Sequence, residues 1–193
     1  PYEARDGGGG DDFIHEQSFI DAANYCDALV SIPTAESTEK QFRMSAVVNT
    51  DRTVGVNLSR MLDTCRGELV WQGGTYRLVI NQVTTAETFE LTEDNIVGAL
   101  NWRRQGTSVP NSIEATFPDA RGGDYNALSV VWPLTGDVTF LDEDNGVENR
   151  AEAGLEFVSG YYQTLRTIMV GLRESRNDVF VALTATEEAY KLQ

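Results

Sequence analysis

The chain has 193 residues, 41% of them hydrophobic, and a formal net charge of −15 at pH 7. That length supports one domain or two small packed lobes, and the acidity argues against nucleic acid or an anionic membrane as a direct partner, since both bind through a basic footprint. No apolar run approaches the roughly 20 residues that cross a bilayer, and the N-terminus carries no basic-then-apolar signal pattern.

Residue 1 is Pro rather than Met, which reads as a piece of something longer. Residues 1–17, with glycine at 7–10, read as a linker arriving from an upstream domain. Ser18 is the predicted cap of a helix over 18–30 with Phe19, Ala22, Ala23, Cys26, Leu29 and Val30 on one face. Residues 32–40 read as loop. Phe42, Met44, Ala46 and Val48 alternate with polar neighbours, the pattern of a half-buried strand.

Residues 50–81 hold the most distinctive pattern. Val54, Leu58, Met61, Leu62 and Cys65 recur at helical spacing, Thr50 or Asp51 can cap the start, and Gly67 falls where a left-handed C-cap is expected. Residues 68–72 and 75–81 are rich in Val, Leu, Ile, Trp and Tyr and flank Gly73-Gly74, a two-residue hairpin turn whose positions both require positive φ. Leu58, Met61, Leu62, Cys65, Gly67, Trp71, Gly73, Gly74 and Tyr76 are the expected fold-determining core.

Residues 84–98 read as polar loop with a short strand at Phe89 and Leu91, and Thr92 as the cap of one helical turn. Strands are predicted over 99–105 (carrying Trp102), at Ile113, Ala115 and Phe117, over 128–132 until Pro133 ends it, and at Val179, Val181 and Leu183. Residues 106–111 and 121–124 are turns, and 137–156 is an acidic stretch with no clear pattern. Ser159 is the predicted cap of a helix to about residue 173, with Tyr161, Leu165, Ile168, Met169 and Leu172 facing inward. Helices and strands mix without a βαβ rhythm, which predicts α+β. A helix–strand–helix–hairpin lobe over 18–105 precedes a strand-rich lobe over 106–193 that holds the long helix and a C-terminal connector.

Catalytic patterns are weak throughout. His15 is the only histidine, with neither triad partner signalled near it, and it rules out a multi-histidine metal site. Cys26 and Cys65 lie on apolar helix faces and read as buried free thiols. Asp142, Asp144, Gly146 and Glu148 partly fit a calcium loop, but the glycine is displaced and no bidentate Glu stands at the required distance, so a solvated acidic loop is expected. With 30 acidic residues a plausible carboxylate pair can always be found, so none is informative. Residues 7–10 lack the Lys-Ser/Thr of a phosphate loop. Neither catalytic residues nor a cofactor or metal is expected.

The order of the segments carries a resemblance. MLDTCRGELVWQGGTYRLVI at 61–80, LTEDNIVGAL at 91–100, PNSIEATFPDA at 110–120 and YYQTLRTIMVGLRESR at 161–176 follow one another as in the central tail hub proteins of long-tailed bacteriophages, the family of the lambda-type tip attachment protein J. DFIHEQSFIDAANYCDALV at 12–30 resembles the lead-in helix of that region, and VFVALTATEEAYKLQ at 179–193 resembles the strand and connector before the next hub domain. The resemblance implies a non-enzymatic structural component of the virion, the middle portion of a hub that is assembled in the host cytoplasm as a homotrimer at the tail tip. Implied partners are the distal tail protein, the tape-measure protein and receptor-binding or other tail-tip proteins. Residues 137–155 depart from the family pattern and read as an insertion. Arg103, Arg104 and Arg121 are candidate contacts to an acidic neighbouring subunit. The alternatives are a carbohydrate- or receptor-binding module built on exposed aromatics and, third, a cell-wall hydrolase.

Overall fold

The computed structural model describes residues 13–33, 37–48, 50–82, 91–104, 109–177 and 179–186. The chain is α+β, with its strands divided among small sheets. The glycine-rich stretch, the strand expected at Phe89 and the C-terminal connector after 186 lie outside the described residues.

Helix α1 (Glu16–Asp27) begins and ends earlier than its periodicity predicts. Its cap is His15, whose Nδ1 accepts from the Ser18 amide at 3.3 Å. Ser18, the expected cap, lies inside the first turn. Its hydroxyl donates to the His15 carbonyl at 2.7 Å and accepts from the Leu78 amide at 3.1 Å, so a tertiary partner claims the group that local rules assign to capping. Leu29 and Val30 leave the helix for strand β1 (Leu29–Ser31), which pairs antiparallel with β2 (Thr38–Lys40) inside the stretch expected to be loop. Thr-Glu-Lys has no apolar alternation to reveal such a strand.

The strand expected at 42–48 has no ladder partner among the described residues. Only Phe42 is buried, while Met44, Val47 and Val48 are exposed. The segment is held by hydrogen bonds from single residues. The Phe42 amide donates to the Cys26 carbonyl at 3.1 Å and the Ser45 amide to the Phe157 carbonyl at 2.9 Å. The Gln163 side chain takes both backbone groups of Arg43, accepting from its amide and donating to its carbonyl, each at 3.0 Å. A buried amide thus substitutes for a neighbouring strand.

Helix α2 (Val54–Asp63) is capped by Thr53 rather than by Thr50 or Asp51; the Thr53 hydroxyl accepts from the Val56 amide. Strands β3 (Gly67–Gln72) and β4 (Thr75–Ile80) form the expected hairpin, with Gly73 and Gly74 at φ 60° and 84°. Gly67 is not the left-handed residue. That conformation belongs to Arg66 at φ 55°, and Gly67 already stands in β3. A Cβ on Gly67 would approach Cys65 Sγ to 3.1 Å and Leu78 Cδ1 to 3.3 Å, so glycine serves close packing there.

Thr92 closes a turn in which its amide donates to Asn95 Oδ1 at 2.8 Å. Strand β5 (Ile96–Arg104) follows, then β6 (Ser112–Asp119) and β7 (Asn126–Trp132). The acidic stretch is ordered into helix α3 (Thr139–Glu143) and strand β8 (Arg150–Gly154), and β8 runs parallel to β6 to complete a sheet of order β7-β6-β8. Helix α4 (Tyr161–Ser175) has Gly160 at its N-cap, without a side-chain cap bond. Ser159, the expected cap, donates instead to the Ser45 hydroxyl at 2.8 Å. Strand β9 (Val179–Ala185) pairs antiparallel with β5.

The core lies where α4 covers the three-stranded sheet. Ala115, Phe117, Val130, Leu155, Val158 and Ile168 form one buried cluster, and Leu172 is fully enclosed. Alternation along β6 and β7 meets the helical stripe of α4, and each apolar face is removed from water by the other. This corrects the expectation that the 50–81 unit is the core. Leu58, Trp71 and Tyr76 are exposed, and Met61, Leu62, Cys65 and Gly67 are half-buried. The stripe on α2 has too few neighbours along its first turns, where Val54 and Val56 stand open to solvent.

The expected division near residue 105 is bridged repeatedly. The β5–β9 pairing joins its two sides, as do Gln163 with Arg43 and Thr64, Arg166 with Glu39 at 2.6 Å, and Asn81 with Glu174 at 2.7 Å. Glu156 receives both Arg52 and Arg60 of the α2 region.

Candidate assembly surfaces

Many of the apolar groups that the core leaves out stand on the hairpin, on α2 and on the β5–β9 ribbon, while others, among them Leu29, Val47 and Val147, lie elsewhere. On the hairpin, the cross-strand pair Trp71 and Tyr76 meets edge to face, with ring centroids 4.6 Å apart. Phe13 stacks on Trp71 at 6.3 Å, and the chain around it adds main-chain bonds to the hairpin, the Tyr76 amide donating to the Phe13 carbonyl and the His15 amide to the Tyr76 carbonyl. Phe13, Trp71 and Tyr76 are 63%, 53% and 43% exposed, so a cluster of three aromatic rings is assembled and left open. His15 Nε2 lies 3.0 Å from an Arg77 nitrogen, which places the only histidine in the scaffold of this hairpin.

The β5–β9 ribbon is open on both faces. Leu100, Trp102, Val179 and Val181 are exposed on one side, with Trp102 opposite Val181 in register, and Phe180 is exposed on the other. Gly98, at φ 87°, lies where the register shifts between Val97 and Asn101. A two-stranded sheet is marginal alone in water.

Of the three arginines expected at subunit contacts, Arg103 and Arg104 stand together at the end of β5 and Arg121 lies in the turn after β6. Arg103 lies over the Phe180 ring at 5.7 Å. Arg104 ends β5, and its side chain is outside the described residues. Arg121 is already engaged within the chain, donating to both Asp119 oxygens from Nε at 3.0 Å and lying over Tyr161 at 4.5 Å. That pairing holds the Asp119 carboxyl below its usual range.

Part of the acidic run is paired from within the chain. Arg176 takes Glu143 at 2.8 Å and Asp144 at 3.0 Å, Asn111 donates to Asp144, and Arg150 bridges Glu114 and Glu148. The hydrogen bond from Arg176 lowers the Asp144 pKa. Among the described residues, no cluster of three or more His, Cys, Asp or Glu is placed to hold a metal ion. No described helix is long and apolar enough to cross a membrane.

A cleft of about 590 Å³ opens beside α4, lined by Trp132, Leu134, Tyr161, Leu165 and Met169 with Arg121 among them. Sequence reasoning placed Tyr161, Leu165 and Met169 on an inner helix face and did not foresee the cleft, because its walls come from elements distant in sequence. No protein-family model matches the chain, and no curated protein matches it either.

Proposed function

We propose that this chain is a non-enzymatic structural component of a bacteriophage tail tip, the middle portion of a hub that assembles as a homotrimer at the distal end of the tail tube. The observation that carries the proposal is the apolar surface left open on the hairpin, on α2 and on the β5–β9 ribbon, beside a separate and well-packed core. A surface of that kind removes its apolar area from water only by association. The segment order quoted above supplies the class of assembly. Neighbouring subunits, the distal tail protein and the tape-measure protein are the partners that would cover these faces. With −15 on each copy, a ring of subunits would repel DNA from its walls and ease its passage.

Multi-angle light scattering of the full-length protein across concentration tests the proposal. The expected mass is that of a trimer, and Trp71→Ser with Trp102→Ser should dissociate it while leaving the fold intact, since both rings lie outside the core. A stable monomer that binds a glycan through Trp71 and Tyr76 would overturn it in favour of a carbohydrate- or receptor-binding module.

A further inference from the structure

Helix α4 carries two apolar stripes with different fates. Ile168 and Leu172 are buried, whereas Tyr161, Leu165 and Met169, each one turn after the last, line the cleft of about 590 Å³. Tyr161 and Leu165 also pack on the core cluster, and the Tyr161 ring stands 6.5 Å from that of Phe117, which is 1% exposed. Trp132, at the end of β7, packs against the same cluster. These walls of the cleft are thus the outer surface of the core and are set before any ligand arrives. Its volume and its largely apolar, aromatic lining are those of a small-molecule site.

The two charged groups in the lining differ in their commitments. Arg166 is engaged within the chain, Nη1 donating to Glu39 at 2.6 Å and Nη2 to the Gln41 carbonyl at 2.9 Å. Arg121 gives Nε and Nη2 to Asp119, while its Nη1 has no hydrogen-bond partner among the described residues. The Arg121 guanidinium lies 4.5 Å over the Tyr161 ring and its side chain is 57% exposed, so a ligand seated on that ring can reach it. Asp119 is not among the residues that line the cleft, and it holds the guanidinium in place. No Asp or Glu lines the cleft at all, in a chain with 30 acidic residues against 15 basic ones. An anion that enters therefore meets open guanidinium donors and no lining carboxylate.

We propose that this cleft is a binding site for a small aromatic carboxylate, its ring on Tyr161 and Trp132 beside Met169 and its carboxylate accepting from Nη1 of Arg121. The aromatic walls select the ring. The charged form is selected because a hydrogen bond between guanidinium and carboxylate is stronger than one from the same guanidinium to a neutral amide. The walls come from elements other than the hairpin, α2 and the β5–β9 ribbon, so the site does not depend on what the chain assembles with.

Methyl-labelled methionine places three reporters in the full chain, Met44, Met61 and Met169, of which only Met169 lines the cleft. Titration with indole-3-acetate should move the Met169 methyl signal saturably at millimolar concentration or below and leave those of Met44 and Met61 in place. Indole-3-acetamide, with the same ring and no charge, should bind about tenfold more weakly. Arg121→Gln should weaken binding of the acid about tenfold and leave the amide unchanged, so that the preference disappears. Leu134 lines the cleft and is 46% exposed, so Leu134→Glu adds a carboxylate there without touching the core and should also weaken binding of the acid. The proposal is overturned if the Met169 signal stays in place, if all three methyls move together, if acid and amide bind alike, or if Arg121→Gln keeps the preference for the acid.

Discussion

Gln163 is the residue on which the joining of the chain's two halves can be tested most directly. It is 3% exposed, and its amide makes three hydrogen bonds, with the Arg43 amide, the Arg43 carbonyl and the Thr64 carbonyl, at 3.0, 3.0 and 3.1 Å. Gln163→Leu keeps most of the volume and removes all three. At about 1 kcal/mol net for each bond, the loss is about 3 kcal/mol, because the groups left behind are part-buried and water restores them incompletely. For a chain of this size that corresponds to a fall in melting temperature of about 6–12 °C. Urea denaturation should show a lower midpoint at unchanged slope, and hydrogen exchange at the Arg43 amide should accelerate beyond the global change. A loss under about 1 kcal/mol, with Arg43 exchanging no faster than its neighbours, would refute the view that this side chain acts as a strand partner for the segment at 42–48.

Two further outcomes follow from particular contacts. Gly171 lies within α4, and a Cβ there would meet only Ile113 Cδ1 at 4.0 Å, so Gly171→Ala should raise stability in urea denaturation by up to about 1 kcal/mol. Asp144 has its pKa lowered by the hydrogen bond from Arg176, which means the charged form is favoured in the folded state. Its contribution is therefore present above the ordinary carboxylate range and is lost as pH falls through the folded value. Below about pH 4 the amides of 145–147 should begin to exchange faster in NMR, and Arg176→Gln should remove that acid dependence.

Much of the architecture is legible in local pattern. The β3–β4 hairpin follows from Gly73-Gly74 between two β-rich runs, since few residues other than glycine take two successive positive φ values without strain. The core strands β6 and β7 follow from alternation at Ile113, Ala115 and Phe117 and from the run that ends at Trp132, and α4 from its apolar stripe. Strands β2 and β8 were not legible, because Thr-Glu-Lys and Arg-Ala-Glu-Ala-Gly carry almost no hydrophobic signal and owe their form to neighbours.

The amino-acid sequence by itself determined the α+β mixture, the hairpin turn, the inward stripe of α4 and the strong acidity. Only the tertiary structure decided which apolar faces become core. The stripe on α2 and the aromatics of the hairpin are apolar like those of β6 and α4, yet only the latter are fully buried within the described chain. The same distinction governs Ser18 and Ser159, whose hydroxyls local rules assign to caps and the fold commits to Leu78 and Ser45. Periodicity records which groups must leave water. Which surface receives them depends on contacts between residues far apart along the chain.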